Sequence, residues 1–303
     1  MITRDVDAFL ARARDCAPDF GPATARAAFL VAPDGFAHAA ESARDNRYMA
    51  QADAFDPVRA LLEHRALQQS LSRALPTLCF AGHADTPDAL FPNNVFATAP
   101  GRLIVGRMRH PVRQREAQRA DIRAFFRDVL GYREVDLSRQ PHPCELTGAL
   151  VIDRARGLGF CGLSERCDEA GAALMHEAFG LRATLVFDLA PGEYHTNVVL
   201  AVLAGRATLV CPDGLAEPRV VDALRALYGD RVVVLSAAER AAFAGNAIAL
   251  TGTQVWMSAT ADAALAPASR AALAAAGFAI EAVALDGIEA AGGSLRCCVA
   301  EIF

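Results

Sequence analysis

Apolar runs broken by short polar turns recur along this chain at a nearly constant interval. Residues 94–104, 148–161, 195–211 and 246–258 each read as a strand, a turn and a returning strand, with turns APGR (99–102), DRARG (153–157), AGR (204–206) and TGT (251–253). A fifth apolar stretch, 294–303, ends the chain, and the segment AAFLVAP (27–33) is its natural partner. The units start near residues 94, 148, 195, 246 and 294, roughly 47 to 54 residues apart, a spacing that signals a propeller-like array.

Between the pairs lie stretches with helical periodicity: 112–130, 168–179, 221–228 and 267–276. In the first, Ile122, Phe125, Phe126 and Val129 face one way and arginines the other. Outer apolar runs follow at 183–189 and 231–237. The pattern predicts one α/β unit spanning 1–303, with residues 1–25 as an N-terminal helical extension. The first and last strands share a blade, which removes open sheet edges.

Equivalent positions in such an array converge on its axis. The unit starts carry Asn93 and Asn94, Glu145, His195 and Asn197, Asn246 and Cys297. Singly, each has an ordinary explanation: a cysteine in an apolar strand packs, a histidine there satisfies a hydrogen bond, and a carboxylate pairs. Together they form a chemical set. A thiol becomes a strong nucleophile as thiolate. An imidazole within reach can hold a proton, protonate a leaving amine and then activate water. A carboxylate orients that imidazole.

Composition narrows the alternatives. The chain of 303 residues is 53% hydrophobic and 21% charged with net charge -5, the balance of a globular protein with a large core. That charge argues against a nucleic-acid partner, and the arginines from 102 to 119 read as a solvated helix face. No apolar run reaches the ~20 residues that span a bilayer, and the first twenty residues lack a signal-peptide pattern. A cytoplasmic protein with no membrane partner is expected. Lysine is absent, which excludes Schiff-base chemistry, pyridoxal-phosphate attachment and a Walker A loop. The eight cysteines form no CxxC pair and no zinc-finger spacing, so they read as reduced thiols, mostly core.

LFPNNVFAT (90–98), ELTGALVID (145–153), GLSER (162–166), EYHTNVV (193–199), GNAIAL (245–250) and GGSLRC (292–297) resemble, in order, the signature segments of the arginine-deiminase/amidinotransferase (pentein) superfamily. The match is nearest to its arginine-deiminase-related, citrulline-hydrolase-like branch and runs from about residue 27 onward. The resemblance implies a fivefold ββαβ propeller with its active site on the axis and no metal or organic cofactor. It places the nucleophile at Cys297, the acid–base at His195 and the carboxylate at Glu145. Substrate contacts fall on Asn93, Asn94 and Asn197, with Arg113 or Arg296 for the substrate carboxylate. Cys298 reads as packing, because neighbouring strand residues point to opposite faces.

Relatives that process guanidines carry aspartates where this chain has Asn94 and Asn197. An asparagine can donate to a neutral ureido oxygen, so a small ureido amino acid such as citrulline is the expected substrate, cleaved through an S-carbamoyl enzyme. Arginine, methylarginine or succinylarginine hydrolysis, or amidino transfer, is the second expectation. A non-catalytic propeller that binds a macromolecule is the third. Leu146 and Cys167 stand where glycine and threonine are common in the superfamily. Nothing in the sequence speaks to oligomeric state.

Overall fold

A computed structural model describes residues 1–303. It is a mixed α/β fold with five separate sheets. Three of the expected strand pairs form as antiparallel hairpins: Phe96–Ala99 with Arg102–Val105, Leu150–Asp153 with Leu158–Leu163, and Leu200–Leu203 with Ala207–Val210. Each gains an outer parallel strand: Arg133–Asp136, Ala183–Asp188 and Val232–Val234. The turns are built by glycines in left-handed geometry, Gly101 and Gly205 among them (φ 69° and 64°), a region closed to most side chains.

The ends of the chain meet as the pattern predicts. Ala300–Ile302 runs antiparallel to Ala27–Val31, with Ala300 opposite Phe29, and Thr77–Phe80 extends that sheet in parallel. The fourth pair does not form. Only Gln254–Ser258 becomes a strand, paired in parallel with Ala279–Val283. Its intended partner makes one bridge, Ile248 with Trp256, because the segment ahead of it is drawn into side-chain bonding through Asn246.

Three predicted helices are present at Glu169–Phe179, Arg219–Tyr228 and Pro267–Ala275. The first shows why: the Asp168 carboxylate accepts from Gly171 N at 2.7 Å, and Gly180 ends the helix in left-handed geometry. The predicted helix over 112–130 is instead a series of short turns, Pro111–Gln114, Glu116–Gln118, Ala120–Ala124 and the wider turn Phe125–Val129. Arg113 and Arg119 turn inward there to bond the carbonyls of Phe91 and Ala81, which breaks the continuous helical register. A long helix over Pro57–Ser72, capped by Asp56, lies where the sequence pattern singled nothing out.

The N-terminal stretch holds a helix, Val6–Arg14, yet it is woven into the body. Ile2–Thr3 pairs with Ala183–Asp188, and the fully buried Phe9 ring meets Phe160 edge-on at 5.6 Å. Truncating so buried a ring costs about 3–5 kcal/mol. No helix of the chain is long and apolar enough to cross a membrane.

Candidate active site

The key side chains do not sit on strands. Asn93 and Asn94 lie in the turn Pro92–Asn94, Glu145 caps Leu146–Ala149, His195 caps Thr196–Val199, and Cys297 lies within Leu295–Cys298. In each case one helical turn precedes the first strand of a sheet, closed by bonds such as Gly148 N to Glu145 O (3.0 Å) and Cys297 N to Ser294 O (3.0 Å). Cys298 is therefore packed for a different reason from strand alternation: within the turn it is fully buried, its thiol directed to Ser294 O at 3.6 Å.

His195 and Glu145 are both fully buried, with Nε2 2.8 Å from Oε2. An ionised carboxylate only accepts, so Nε2 carries the hydrogen and donates it. Burial alone would raise the Glu145 pKa, but the Arg166 charge, the His195 bond and the Arg113 charge bring it down to about 2. Burial outweighs Glu145 at His195 and lowers its pKa, which keeps the ring neutral near pH 7. The other ring nitrogen, Nδ1, is buried and has no protein partner. The ring packs against that of Tyr194, tilted by 49° with centroids 4.6 Å apart.

Gly148 is the floor beneath this ring. A Cβ there would lie 2.6 Å from Asn94 Oδ1 and 2.9 Å from His195 Nδ1, so the absence of a side chain lets the two polar atoms converge. Two residues earlier, Leu146 is fully buried at φ 29°, a left-handed conformation that a leucine adopts under strain. Here the chain carries leucine at the one turn position whose geometry suits glycine. Cys167, the other departure, is a core thiol with its sulfur 3.7 Å from that of Cys161.

Cys297 is 1% exposed. Asn246 Nδ2 donates to Sγ at 3.3 Å, and the thiol points to Asn197 Oδ1 at 3.9 Å. Burial pushes the thiol pKa up, opposed by the Asn246 and Ser294 N–H groups and by the charges of Arg296 and Arg113. Several buried amide atoms around these groups lack partners: both side-chain atoms of Asn93, Oδ1 of Asn94 and of Asn246, and Nδ2 of Asn197. Buried polar atoms are rarely left unpaired, so a group of them marks where a ligand or water belongs.

Cys297 opens on a small, partly enclosed cavity shared with Asn94, Asp88, Arg113, Arg166 and Tyr194. Of the two arginines expected to hold a substrate carboxylate, Arg113 lines it. Its Nε and Nη2 are engaged by Glu116 at 2.9 Å each, leaving Nη1. Arg296 does not join it: its guanidinium is bound to Glu301 (3.0 Å) and Val299 O (2.7 Å), in the wall of a separate cavity. Asn197 also faces that second cavity, and Asn93 lines neither.

Two residues of the cavity wall escaped the sequence reading. Asp88 is 3% exposed, accepts from the Ser42 hydroxyl through Oδ2, and leaves Oδ1 unpaired. Arg166 bonds Asp45 at 2.6 Å and lies 3.6 Å from Glu145. Arg166 was within reach, as the last residue of GLSER; Asp88 carried only the weak signal of an acid ahead of an apolar run.

The roof of the cavity is a strap that includes Ser42, Asn46 and Met49. Asp45 ties it down to Arg166 and to His110 (3.0 Å), Asn46 donates to Gly292 O, and Ala50 N donates to Ala290 O. A Cβ on Gly292 would collide with Asn46.

The profile of the eukaryotic N,N-dimethylarginine dimethylhydrolase family matches residues 32–303. A Mycobacterium tuberculosis (strain ATCC 25618 / H37Rv) protein, N(G),N(G)-dimethylarginine dimethylaminohydrolase, is 30% identical over 216 residues, 71% of this chain. The matched stretch spans 66% of that relative's length. Among solved structures, the N-terminal domain of ArgZ, an arginine dihydrolase from cyanobacteria, superposes with TM-score 0.80 at 18% identity, covering 91% of this chain and 97% of its own. A dimethylarginine dimethylaminohydrolase variant carrying an S-methyl-L-thiocitrulline adduct superposes with TM-score 0.70 at 18% identity, covering 92% and 100%. At such identities these structures share the fold with this chain.

Proposed function

The chain belongs to the N,N-dimethylarginine dimethylhydrolase family of the pentein (amidinotransferase) superfamily, and on that premise we propose that it is a cysteine hydrolase cleaving a guanidino C–N bond of an arginine-type amino acid. The relatives named above act on arginine and dimethylarginine. The preference for citrulline expected from Asn94 and Asn197 is therefore set aside. The two asparagines are only part of the cavity wall, and the charged groups beside them also select the head group. Arg113 is offset by Glu116 and Arg166 by Asp45, and the cavity wall keeps one further carboxylate, Asp88. Such a surround favours a cationic head group.

The observation that carries the reading is the His195–Glu145 pair with Nδ1 left free beside Asn94. In the first step the Cys297 thiol gives its proton to His195 Nδ1, and the sulfur, now thiolate, bonds the guanidinium carbon. The C–N bond to the leaving amine breaks as His195 Nδ1 supplies its proton, and an S-amidino enzyme remains. In the second, Nδ1 takes a proton from water, whose oxygen bonds the same carbon. The C–S bond then breaks and returns the thiolate, and the product carries a ureido oxygen in place of the departed amine. Glu145 stabilises the imidazolium that exists before the C–N bond breaks and again once water has given up its proton. Asn94 and Asp88 hold the head group or the ammonium end, and the free Nη1 of Arg113 or Arg166 faces the carboxylate end. We read residues 1–303 as one catalytic unit, the five sheets as blades of a propeller and this cavity as one end of its axis.

The test is turnover of dimethylarginine, monomethylarginine, arginine and citrulline by the purified chain and by Cys297→Ala, reading the released amine and the ureido product. Guanidino substrates are expected to react and citrulline to stay intact. Citrulline as the sole reacting compound would overturn the assignment.

A further inference from the structure

The second cavity, in whose wall Arg296 lies, holds about 40 Å3, room for about three waters at ~10–15 Å3 each. The turns that carry Glu145, His195 and Cys297 also contribute Thr147, Asn197 and Arg296 to its lining. Ala23, Ile152, Val202 and Gly205 line it as well and are partly exposed. No residue of the strap lines it, and it shares none with the cavity of the thiol, so it approaches the same turns from another side. A polar layer separates the two. Asn197 faces the second cavity and holds Oδ1 3.9 Å from Cys297 Sγ, Asn246 Nδ2 donates to Asn197 O, and the Thr147 hydroxyl donates to Asn93 O at 3.1 Å. Four amide atoms of these residues have no protein partner: Asn197 Nδ2, Asn246 Oδ1, and Oδ1 and Nδ2 of Asn93. Buried donors and acceptors of this kind bind water.

The second step of the reaction proposed above, on which this inference rests, consumes one water per turnover. In the S-amidino enzyme the amino-acid chain is still bonded to the carbon under attack, so it lies in the cavity beneath the strap. With the strap down that cavity has about 10 Å3 to spare, room for one water at most. A water arriving from the strap side has both the strap and the bound chain in its way. We propose that the hydrolytic water comes instead from the second cavity, by way of the layer of Asn93, Asn197 and Asn246, with Asn197 as its positioning residue. A carboxamide donates and accepts at once, so Asn197 can hand a water on without taking its proton. The proton goes to His195 Nδ1, the oxygen bonds the carbon, and the C–S bond breaks as before. The next water is drawn from the second cavity.

Filling the second cavity from its partly exposed wall, with Val202→Phe or Ala23→Trp, tests this. Ala23 lies outside helices and strands, so its variant keeps the test open should Val202→Phe not fold. The full chain is mixed with arginine or dimethylarginine, whichever the wild type turns over faster. Rapid quenching reads the amine released in the first turnover, steady-state assay reads kcat, and mass spectrometry reads the peptide holding Cys297. In the variants the first amine, one per enzyme, should appear at the wild-type rate. Their kcat should fall by about 10-fold or more, and Cys297 should carry the amidino adduct during turnover. Wild-type kcat with no adduct in either folded variant overturns the proposal and leaves the hydrolase reading intact. A first turnover slowed in step with kcat overturns it too, because the filled cavity then disturbs the reacting groups and not the water. No amine from the wild type removes the hydrolase reading and this proposal with it.

Discussion

Asn246 Nδ2 donates to the Cys297 sulfur over 3.3 Å, and the same amide nitrogen donates to Asn197 O at 2.8 Å. It is the one side-chain donor to a thiol whose burial disfavours ionisation. Asn246→Ala should raise the thiol pKa further and lower kcat/KM by about 10- to 100-fold, the range for a hydrogen bond to a charged group. The pH dependence of iodoacetamide alkylation at Cys297 reads this directly. An unchanged profile would deny the bond its role.

In the ligand-free protein, alkylation of Cys297 should rise only above the ordinary thiol value of about 8.5, since burial raises its pKa. A rise centred well below neutrality would show that His195 is already protonated and paired with a thiolate.

Glu145 sets a stability dependence of known sign. Its folded pKa, about 2, lies below the unfolded value of about 4.3, so its contribution is present above the latter and is lost as pH falls through the former. The stability gap between wild type and Glu145→Gln in denaturant titrations should therefore narrow as pH falls from about 4.3 to about 2. A gap independent of pH would mean that the carboxylate is not ionised in the folded state.

Gly148→Ala should leave the protein folded yet inactive. The added methyl would press on Asn94 Oδ1 and His195 Nδ1, and a misplacement of ~1 Å at reacting groups costs about 100-fold in rate. Measuring kcat beside the melting temperature separates this from unfolding. Full activity would place the reacting groups elsewhere.

Asp45 joins the strap to Arg166 and His110, so Asp45→Asn should loosen the roof and speed Cys297 alkylation several-fold at fixed pH. Equal rates would mean that another movement admits reagents to the cavity.

Much of this was readable in the chain. Turn chemistry at Gly101 and Gly205 and the recurrence of apolar pairs located three hairpins and the union of 27–33 with 294–303. These signals are local, so they survive without knowledge of neighbours. The break-up of 112–130 was not local. Its arginines look solvent-facing in periodicity, but Arg113 and Arg119 are drawn inward by carbonyls from distant segments. The helix at Pro57–Ser72 escaped because its amphipathic signal is weak: Glu63 and His64 occupy buried positions.

By itself, the order of residues determined which chemistry was available: one thiol, one imidazole and one carboxylate at matching phases of a repeat, and no lysine to compete. Only the folded chain decided which groups meet and with what charge. It sent Arg296 to a different cavity, brought Asp88 and Arg166 to the cavity of the thiol, and laid a strap over that cavity. The reason is that spacing along a chain encodes the local conformation of each turn, whereas ion pairing and burial depend on groups 50 to 250 residues apart, such as His195 with Glu145 or Asn46 with Gly292. Those distances exist only once the sheets have packed.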